Sequence, residues 1–360
     1  MHIPGGEMIT KILNSLIVGM LLLLSACAPA ATPTPDAATA APAEQPAPTA
    51  TLTPVHLKVG ILSYMSNSPF FIAQEEGYFA EQGLEVEFVN FGFSERDMLP
   101  ALLQGQLDVG LMSMNVGVLG AIAQGTNLKL VADKGFANPD GCAADGWLAS
   151  KSMLESGSLD DLTGLRDKKV VAFTGNTYEY AHDLLLEKAG LTNEDMEILV
   201  VFDAAARNDG LGNGSIDVTS HSEPWITRAE KAGVGELWVP FSDVIPNTSI
   251  AGVVYGPSIL EMNTDVGVRF MVAYLKAVKQ FTSEKSDRNL EIISQYTQLP
   301  AEELKEVCWN SFQPDGEIDP DGLRGFVEWA FRKGYIDAPL DIEQIWDPQF
   351  IEQANEILNK

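Results

Sequence analysis

The chain has 360 residues, with 23 Lys+Arg against 50 Asp+Glu, a formal net charge of −27 and three cysteines. Such acidity argues against nucleic acid as a partner and against an electrostatic grip on anionic lipid, since both are polyanionic. From about residue 55 the length suffices for one large domain or two ordinary ones.

At the N-terminus, Lys11 precedes an apolar run over 12–24 that is broken only by Asn14, Ser15 and Gly19. The run is too short and too close to the start for a membrane span, and it reads as the core of a secretory signal over 1–26. Met1 and Met8 are both candidate starts, Met8 being the more typical. Leu24-Ser25-Ala26-Cys27 follows directly and resembles the bacterial lipobox. That resemblance implies a diacylglycerol on the Cys27 thiol and an anchor on the outer face of the cytoplasmic membrane, periplasmic or at the cell surface. The alternative is an ordinary signal with an incidental cysteine. Residues 27–54 are almost entirely Ala, Pro and Thr, too poor in large apolar groups to pack, and read as a disordered tether. Cys142 and Cys308 are left to pair in an oxidising compartment or to remain thiols. Their spacing does not decide, and the reading favours two free thiols.

Further along, the chain repeats itself. Residues 56–63 form an apolar run ending in Ser63, followed by a polar loop, a helix through Phe70, Phe71 and Ile72, a stop at Gly83 and a second strand over 84–89. Residues 169–174 again run apolar into a hydroxyl, Thr174, and lead through a polar loop to a helix around Leu184, to Gly190 and to a strand over 196–201. A second pair is closer still: Leu102-Leu103-Gln104-Gly105-Gln106-Leu107-Asp108-Val109-Gly110 matches Leu211-Gly212-Asn213-Gly214-Ser215-Ile216-Asp217-Val218-Thr219. A duplicated strand–helix–strand plan predicts two α/β lobes whose strand ends face each other across one cleft. The expected division is 55–150 for the first part of lobe 1, 151–255 for lobe 2, and 256–360 for a return to lobe 1 with C-terminal helices packed on it. Those helices are expected at 268–281, 301–312, 320–333 and 348–359.

Several segments resemble the NMT1/THI5-like and SsuA/TauA-like binding proteins of ABC importers. They are residues 69–86, which include Gly77-Tyr78-Phe79, then 101–110, 123–132 and 161–170, which include Asp161-Leu162-Thr163-Gly164-Leu165. The resemblance covers most of 57–280 and implies a two-lobed periplasmic-binding-protein type II fold, closure about a hinge and delivery to a permease. The turn-rich stretch 135–151 departs from the usual pattern, so no particular member's ligand carries over.

Ligand contacts are expected from loops at strand ends. In lobe 1 these are Met65, Asn67, Ser68 and Phe70, with Ser113, Met114 and Asn115; in lobe 2 they are Thr174, Gly175, Asn176, Thr177 and Tyr178, with His221, Ser222, Glu223 and Trp225. Backbone N–H groups around 174–177 could hold an anion at a helix start, or Asn176 or Thr177 could simply cap it. Trp225 could stack on a flat ring or fill the core. Glu223 could accept from a ring amine or face solvent, and Phe70 could belong to the core. These loops contain no Arg or Lys, which tilts the expectation from a nitrate-, sulfonate- or taurine-like anion toward a neutral or amine-bearing flat solute, such as a pyrimidine or flavin-like vitamin precursor.

Neither a cofactor nor a metal is called for, and a monomer is expected. The chain carries no Gly-x-Ser-x-Gly, Cys-x-x-Cys or His-Glu-x-x-His motif. The expected role is therefore solute capture for an importer and not catalysis. The alternatives are a ligand-presenting sensor lipoprotein or, less well matched to an export signal, a pyrimidine-synthesis-type enzyme.

Overall fold

The structure is a computed structural model that describes residues 53–92, 95–262 and 264–360. The signal, Cys27 and nearly all of the tether lie outside the described residues. Among the described residues, ten strands form two sheets. The first holds β1 (Val55–Ile61), β2 (Leu84–Asn90), β3 (Val109–Ser113), β4 (Lys129–Asp133) and β10 (Ala251–Tyr255), in the order β2-β1-β3-β10-β4. The second holds β5 (Asp145–Ser150), β6 (Lys169–Val171), β7 (Glu197–Leu199), β8 (Val218–Ser222) and β9 (Gly235–Pro240), in the order β7-β6-β8-β5-β9. β1 runs parallel to β2 and β3 and β6 runs parallel to β7 and β8, while β10 and β5, each arriving from the other lobe, insert antiparallel beside β3 and β8.

The repeated Leu-x-x-Gly-x-(Leu/Ile)-Asp motif does the same work twice. Asp108 accepts from the Lys58 N–H at 2.7 Å while its own N–H donates back to the Lys58 carbonyl. Asp217 accepts from the Lys169 N–H at 2.9 Å and donates back to the Lys169 carbonyl. Asp108 thus pins the start of β3 to β1, and Asp217 the start of β8 to β6.

Sheet membership places the crossings between lobes at 134–144 and 241–250. Residues 145–150, assigned to lobe 1 by sequence, pair in the second sheet, and 251–255, assigned to lobe 2, pair in the first. A short apolar strand looks the same in either sheet, so sequence alone could not place it.

The first lobe is built round the helix Thr264–Ser283, which packs against the helices Ser68–Glu75 and Gln349–Leu358. Phe70 is fully buried and stacks on Tyr274 at 4.5 Å, with Phe270 at 6.1 Å. Burying one such ring contributes about 1.5–3 kcal/mol. Phe70 is therefore a core residue and not a ligand contact.

The C-terminal helices are not confined to the first lobe. The helix Pro320–Arg332 meets Thr177–Ala189 of the second: Phe326 packs on Tyr180 at 5.7 Å, and the Trp329 Nε1–H donates to Asp183 at 2.7 Å. The helix expected over 301–312 ends at Glu306, and a helix not foreseen occupies Asp287–Thr297. Beyond Glu306 the chain is captured by the crossings. Phe136 bridges both Ser249 and Ser311, so three segments run side by side between the lobes. Cys142 and Cys308 join there in a disulfide, with S–S 2.05 Å. The expectation of two free thiols is corrected: 166 residues of separation hid a pair that the fold places side by side.

Candidate functional site

The carboxyl ends of β1, β3, β6 and β8 face one another, and part of that meeting is already occupied by backbone. The Val116 N–H donates to the Gly175 carbonyl at 2.9 Å, and the Thr177 N–H to the Met114 carbonyl at 3.1 Å. The Thr177 hydroxyl donates to Ile250 O at 3.0 Å. Asn115 caps the helix Val116–Ala123 by accepting from the Val118 N–H. Asn176 caps Thr177–Ala189 by accepting from the N–H groups of Tyr178 and Glu179, and the Gly175 N–H donates to the Glu179 carboxylate. Met114, Asn115, Gly175, Asn176 and Thr177 form a strap between the lobes. The N–H groups of 175, 177, 178 and 179 are all engaged within the protein, so Gly175 and Thr177 of the expected anion cradle donate to protein acceptors.

Other expected contacts also turn inward. Met65, Asn67 and Ser68 are buried; the Asn67 amide donates to Leu62 O at 2.6 Å, and the Ser68 hydroxyl to Met65 O at 2.6 Å. They shape the loop, which leaves Tyr64 and Ser66 more exposed. Glu223 accepts from the Thr227 N–H at 3.1 Å, the Thr227 hydroxyl at 2.8 Å and the Cys308 N–H at 3.2 Å. Its carboxylate therefore fastens the helix Trp225–Ala232 to the disulfide segment. Trp225 lies under the Arg228 guanidinium at 4.6 Å, with the His221 ring 6.5 Å away, so one indole face is covered by a cation. Arg228 in turn forms a two-pronged pair with Glu303. Burial, with Arg207 nearby, depresses His221 to about 2, so its ring is neutral, and among the described residues neither ring nitrogen has a hydrogen-bond partner. Ser222 lies beside Tyr178, and the three residues 221–223 form no catalytic relay.

A polar cluster does gather at the strand ends, drawn from both lobes. Ser113 donates twice to Glu95, from its N–H and its hydroxyl, each at 2.7 Å. Lys134, the residue after β4, is 3 % exposed and donates to the Ser66 hydroxyl at 3.1 Å. Burial lowers its ammonium to about 8, opposed by Glu95, Asp133 and Asp145. Asp145, the first residue of β5, accepts from the Tyr178 hydroxyl at 2.5 Å. Burial raises its carboxyl to about 6, against the pull of that hydrogen bond and of Lys134. Arg207, buried in the helix Ala204–Asn213, donates to Ser220 O at 3.1 Å and lies 5.0 Å over the Phe173 ring. Its charge offsets part of the rise that burial imposes on the Tyr64 hydroxyl of the other lobe. Phe202, 79 % exposed, stands 6.5 Å from Phe173, and Thr174 beside them is exposed.

The expectation of a cleft without cations is thus overturned by Lys134 and Arg207. Neither sits in a strand-end loop as the sequence defined them: one follows an apolar strand, the other sits in the body of a helix. Tyr64, Glu95, Asp145 and Phe173 were missed as well. Of the expected residues, Ser113, Thr174, Tyr178 and Ser222 remain at this cluster. Its charged groups include the acids Glu95, Asp133 and Asp145 and the bases Lys134 and Arg207.

The model of the family described as "NMT1/THI5 like" matches residues 65–285. The riboflavin-binding protein RibY of Chloroflexus aurantiacus is 26 % identical, over 94 % of this chain and 98 % of its own length. Among solved structures, the ligand-binding component of an ABC-type import system from Staphylococcus aureus has TM-score 0.68 at 17 % identity, covering 83 % of this chain and 98 % of its own. The periplasmic aliphatic sulphonate-binding protein SsuA of Escherichia coli has TM-score 0.65 at 19 %, covering 82 % and 93 %. The fold also serves chemistry: the desulfurization enzyme DSZB has TM-score 0.62 at 12 % identity, covering 84 % and 99 %.

Proposed function

This chain belongs to the NMT1/THI5-like family, and from that premise we propose that it is the solute-binding component of an ABC importer. It captures a small organic molecule between its lobes outside the cytoplasmic membrane and delivers it to the permease. It acts as a monomer, tethered by a lipid on Cys27 and the Ala/Pro/Thr-rich segment behind it. The observation that carries the reading is the meeting of Glu95 and Lys134 from one side with Asp145, Tyr178 and Arg207 from the other, at the ends of both sheets. A site assembled from two lobes is remade or broken when they rotate, which is how a receptor reports occupancy to a transporter.

The solute we favour is a neutral planar heterocycle of the flavin or pyrimidine kind. The exposed ring of Phe202 supports it, and RibY, similar along nearly its whole length, is named for binding riboflavin. Calorimetric titration with riboflavin, uridine, taurine and nitrate tests this reading. Saturable binding of a planar neutral compound, with unchanged compound recovered afterwards, is expected. Binding of only the sulfonate or nitrate would overturn the choice of solute, and turnover of a bound compound would overturn the receptor role.

A further inference from the structure

The two crossings and the strap are not all that joins the lobes. The helix Trp225–Ala232 starts just after β8, and Ile226 and Ala229 bury one of its faces in the core of the second lobe. The helix Ala301–Glu306 belongs to the first lobe: Leu304 and the following Val307 are fully buried in the core that holds Phe71, Phe281 and Leu290. The Trp309 Nε1–H donates back to Leu304 O at 2.8 Å, and the Lys285 ammonium to Lys305 O and Val307 O at 3.0 and 2.6 Å, so this helix is fixed to its lobe. Between the two helices run two ion pairs. Arg228 meets Glu303 through Nε and Nη2, at 2.5 and 2.9 Å, and Lys231 meets Glu306. Each helix supplies its two charges three residues apart, so both pairs lie on one face of each helix. Arg228 and Glu303 are largely shielded, at 35 % and 17 % side-chain exposure, and the guanidinium rests on Trp225 at 4.6 Å. A two-pronged pair held by packing keeps more of its Coulomb energy than a mobile surface pair does. Glu223, which accepts from the Cys308 N–H at 3.2 Å, adds a third tie between the same two segments.

We infer that Arg228–Glu303 and Lys231–Glu306 form an electrostatic latch that holds the lobes together and sets how long a captured solute stays. The second-lobe end of the latch is built on the carboxyl end of β8, which borders the cleft. There the His221 ring lies 6.5 Å from Trp225, and the Asn208 amide donates to Trp225 O at 3.0 Å. Rotation of one lobe against the other moves Arg228 and Lys231 relative to Glu303 and Glu306, so opening the cleft breaks the pairs and closing it restores them. Partly exposed charges are screened by salt, which makes the closed population depend on ionic strength. The same rotation breaks the strap, where the Val116 N–H donates to Gly175 O and the Thr177 N–H to Met114 O across the lobes. Latch and strap stand on different elements and are coupled through the motion of the lobes. The latch itself needs no solute; its share in retention rests on the receptor reading.

The test is hydrogen exchange of the solute-free full protein, read at residues 114–118 and 175–178, where the strap amides report separation of the lobes. Glu303→Gln/Glu306→Gln should speed exchange there about three- to tenfold, the range expected for the loss of two such pairs. Core amides of β3 and β6 should keep their rates, which separates opening of the lobes from a general loss of stability. Raising NaCl from about 0.05 M to about 0.5 M should speed strap exchange in the wild type and do little in the variant. Lys231→Glu/Glu306→Lys keeps an opposite pair and should stay within about twofold of the wild type. Riboflavin, the probe solute, should leave the Gln variant faster by the same factor as the strap exchanges. Unaltered strap exchange in that variant, or acceleration confined to 225–232 and 301–308, would overturn the latch whatever riboflavin does. Faster strap exchange with unchanged riboflavin release would overturn its share in retention. Faster strap exchange in a protein that does not bind riboflavin would uphold the latch and overturn the choice of solute instead.

Discussion

Breaking the Cys142–Cys308 bond should remove a large part of the stability of the folded unit. The bond closes a loop of 166 residues that contains the whole second lobe. Chain-entropy arithmetic for a loop of that length gives about 5 kcal/mol, all of it acting by restricting the unfolded chain. Measured losses for native disulfides run about 2–5 kcal/mol, against a total that seldom exceeds about 15 kcal/mol. The folded form should survive. The strands and the Glu223–Cys308 N–H contact do not need the S–S bond, and Ser311 stays bridged to Phe136. Cys142 is exposed, so reductant can reach the bond. The assay is urea unfolding of the wild type with and without reductant, beside a Cys142→Ala/Cys308→Ala variant. The midpoint should fall in both, and the denaturant slope should rise because the unlinked chain exposes more surface. A midpoint that stays within error after verified reduction would refute the reasoning.

Two further outcomes follow from the same geometry. Asp133 is fully buried and accepts from Ser249 Oγ, Gly135 N and Gln313 N, and burial pushes its carboxyl from 3.8 up to about 6. A folded-state value above the unfolded one favours the fold while the proton is bound, so this contribution is complete below about pH 4 and is lost as pH rises through about 6. The shift is worth about 3 kcal/mol. Asp133→Asn keeps an acceptor for the two N–H groups, and it should flatten the fall in unfolding midpoint between pH 4 and pH 6; an unaltered slope would count against the assignment. At the other end of the chain, Cys27→Ser should move the protein from the membrane fraction to the soluble extracytoplasmic fraction, as read by fractionation and immunoblot, and persistence in the membrane would remove the lipid anchor from the account.

The duplicated plan was legible because its carriers are local. Asp108 and Asp217 stand at the same place after a glycine turn, and each ties its strand to a neighbour, so the repeat in wording is a repeat in hydrogen bonding. That Asn176 or Thr177 could cap the helix was legible for the same reason, since a cap is satisfied within three residues, and the structure shows Asn176 in that role. The cleft was harder because its makers are far apart in the chain. Lys134 follows an apolar strand and looks like any solvated lysine until Ser66, Glu95 and Asp145 are brought round it. Arg207 sits in a helix with ordinary polar neighbours, and only the fold lays it over Phe173. Trp225 and Glu223 misled in the opposite direction. Both stand where a ligand contact belongs, but Arg228 covers the first and the Cys308 N–H engages the second, each a partner contributed by packing.

Hydrogen exchange of the full protein with and without saturating riboflavin tests the shared cleft most directly. The account predicts slower exchange in residues 61–68 of the first lobe and 173–178 of the second together, because one solute bridges both. Protection confined to a single lobe, or none in either segment, would contradict it.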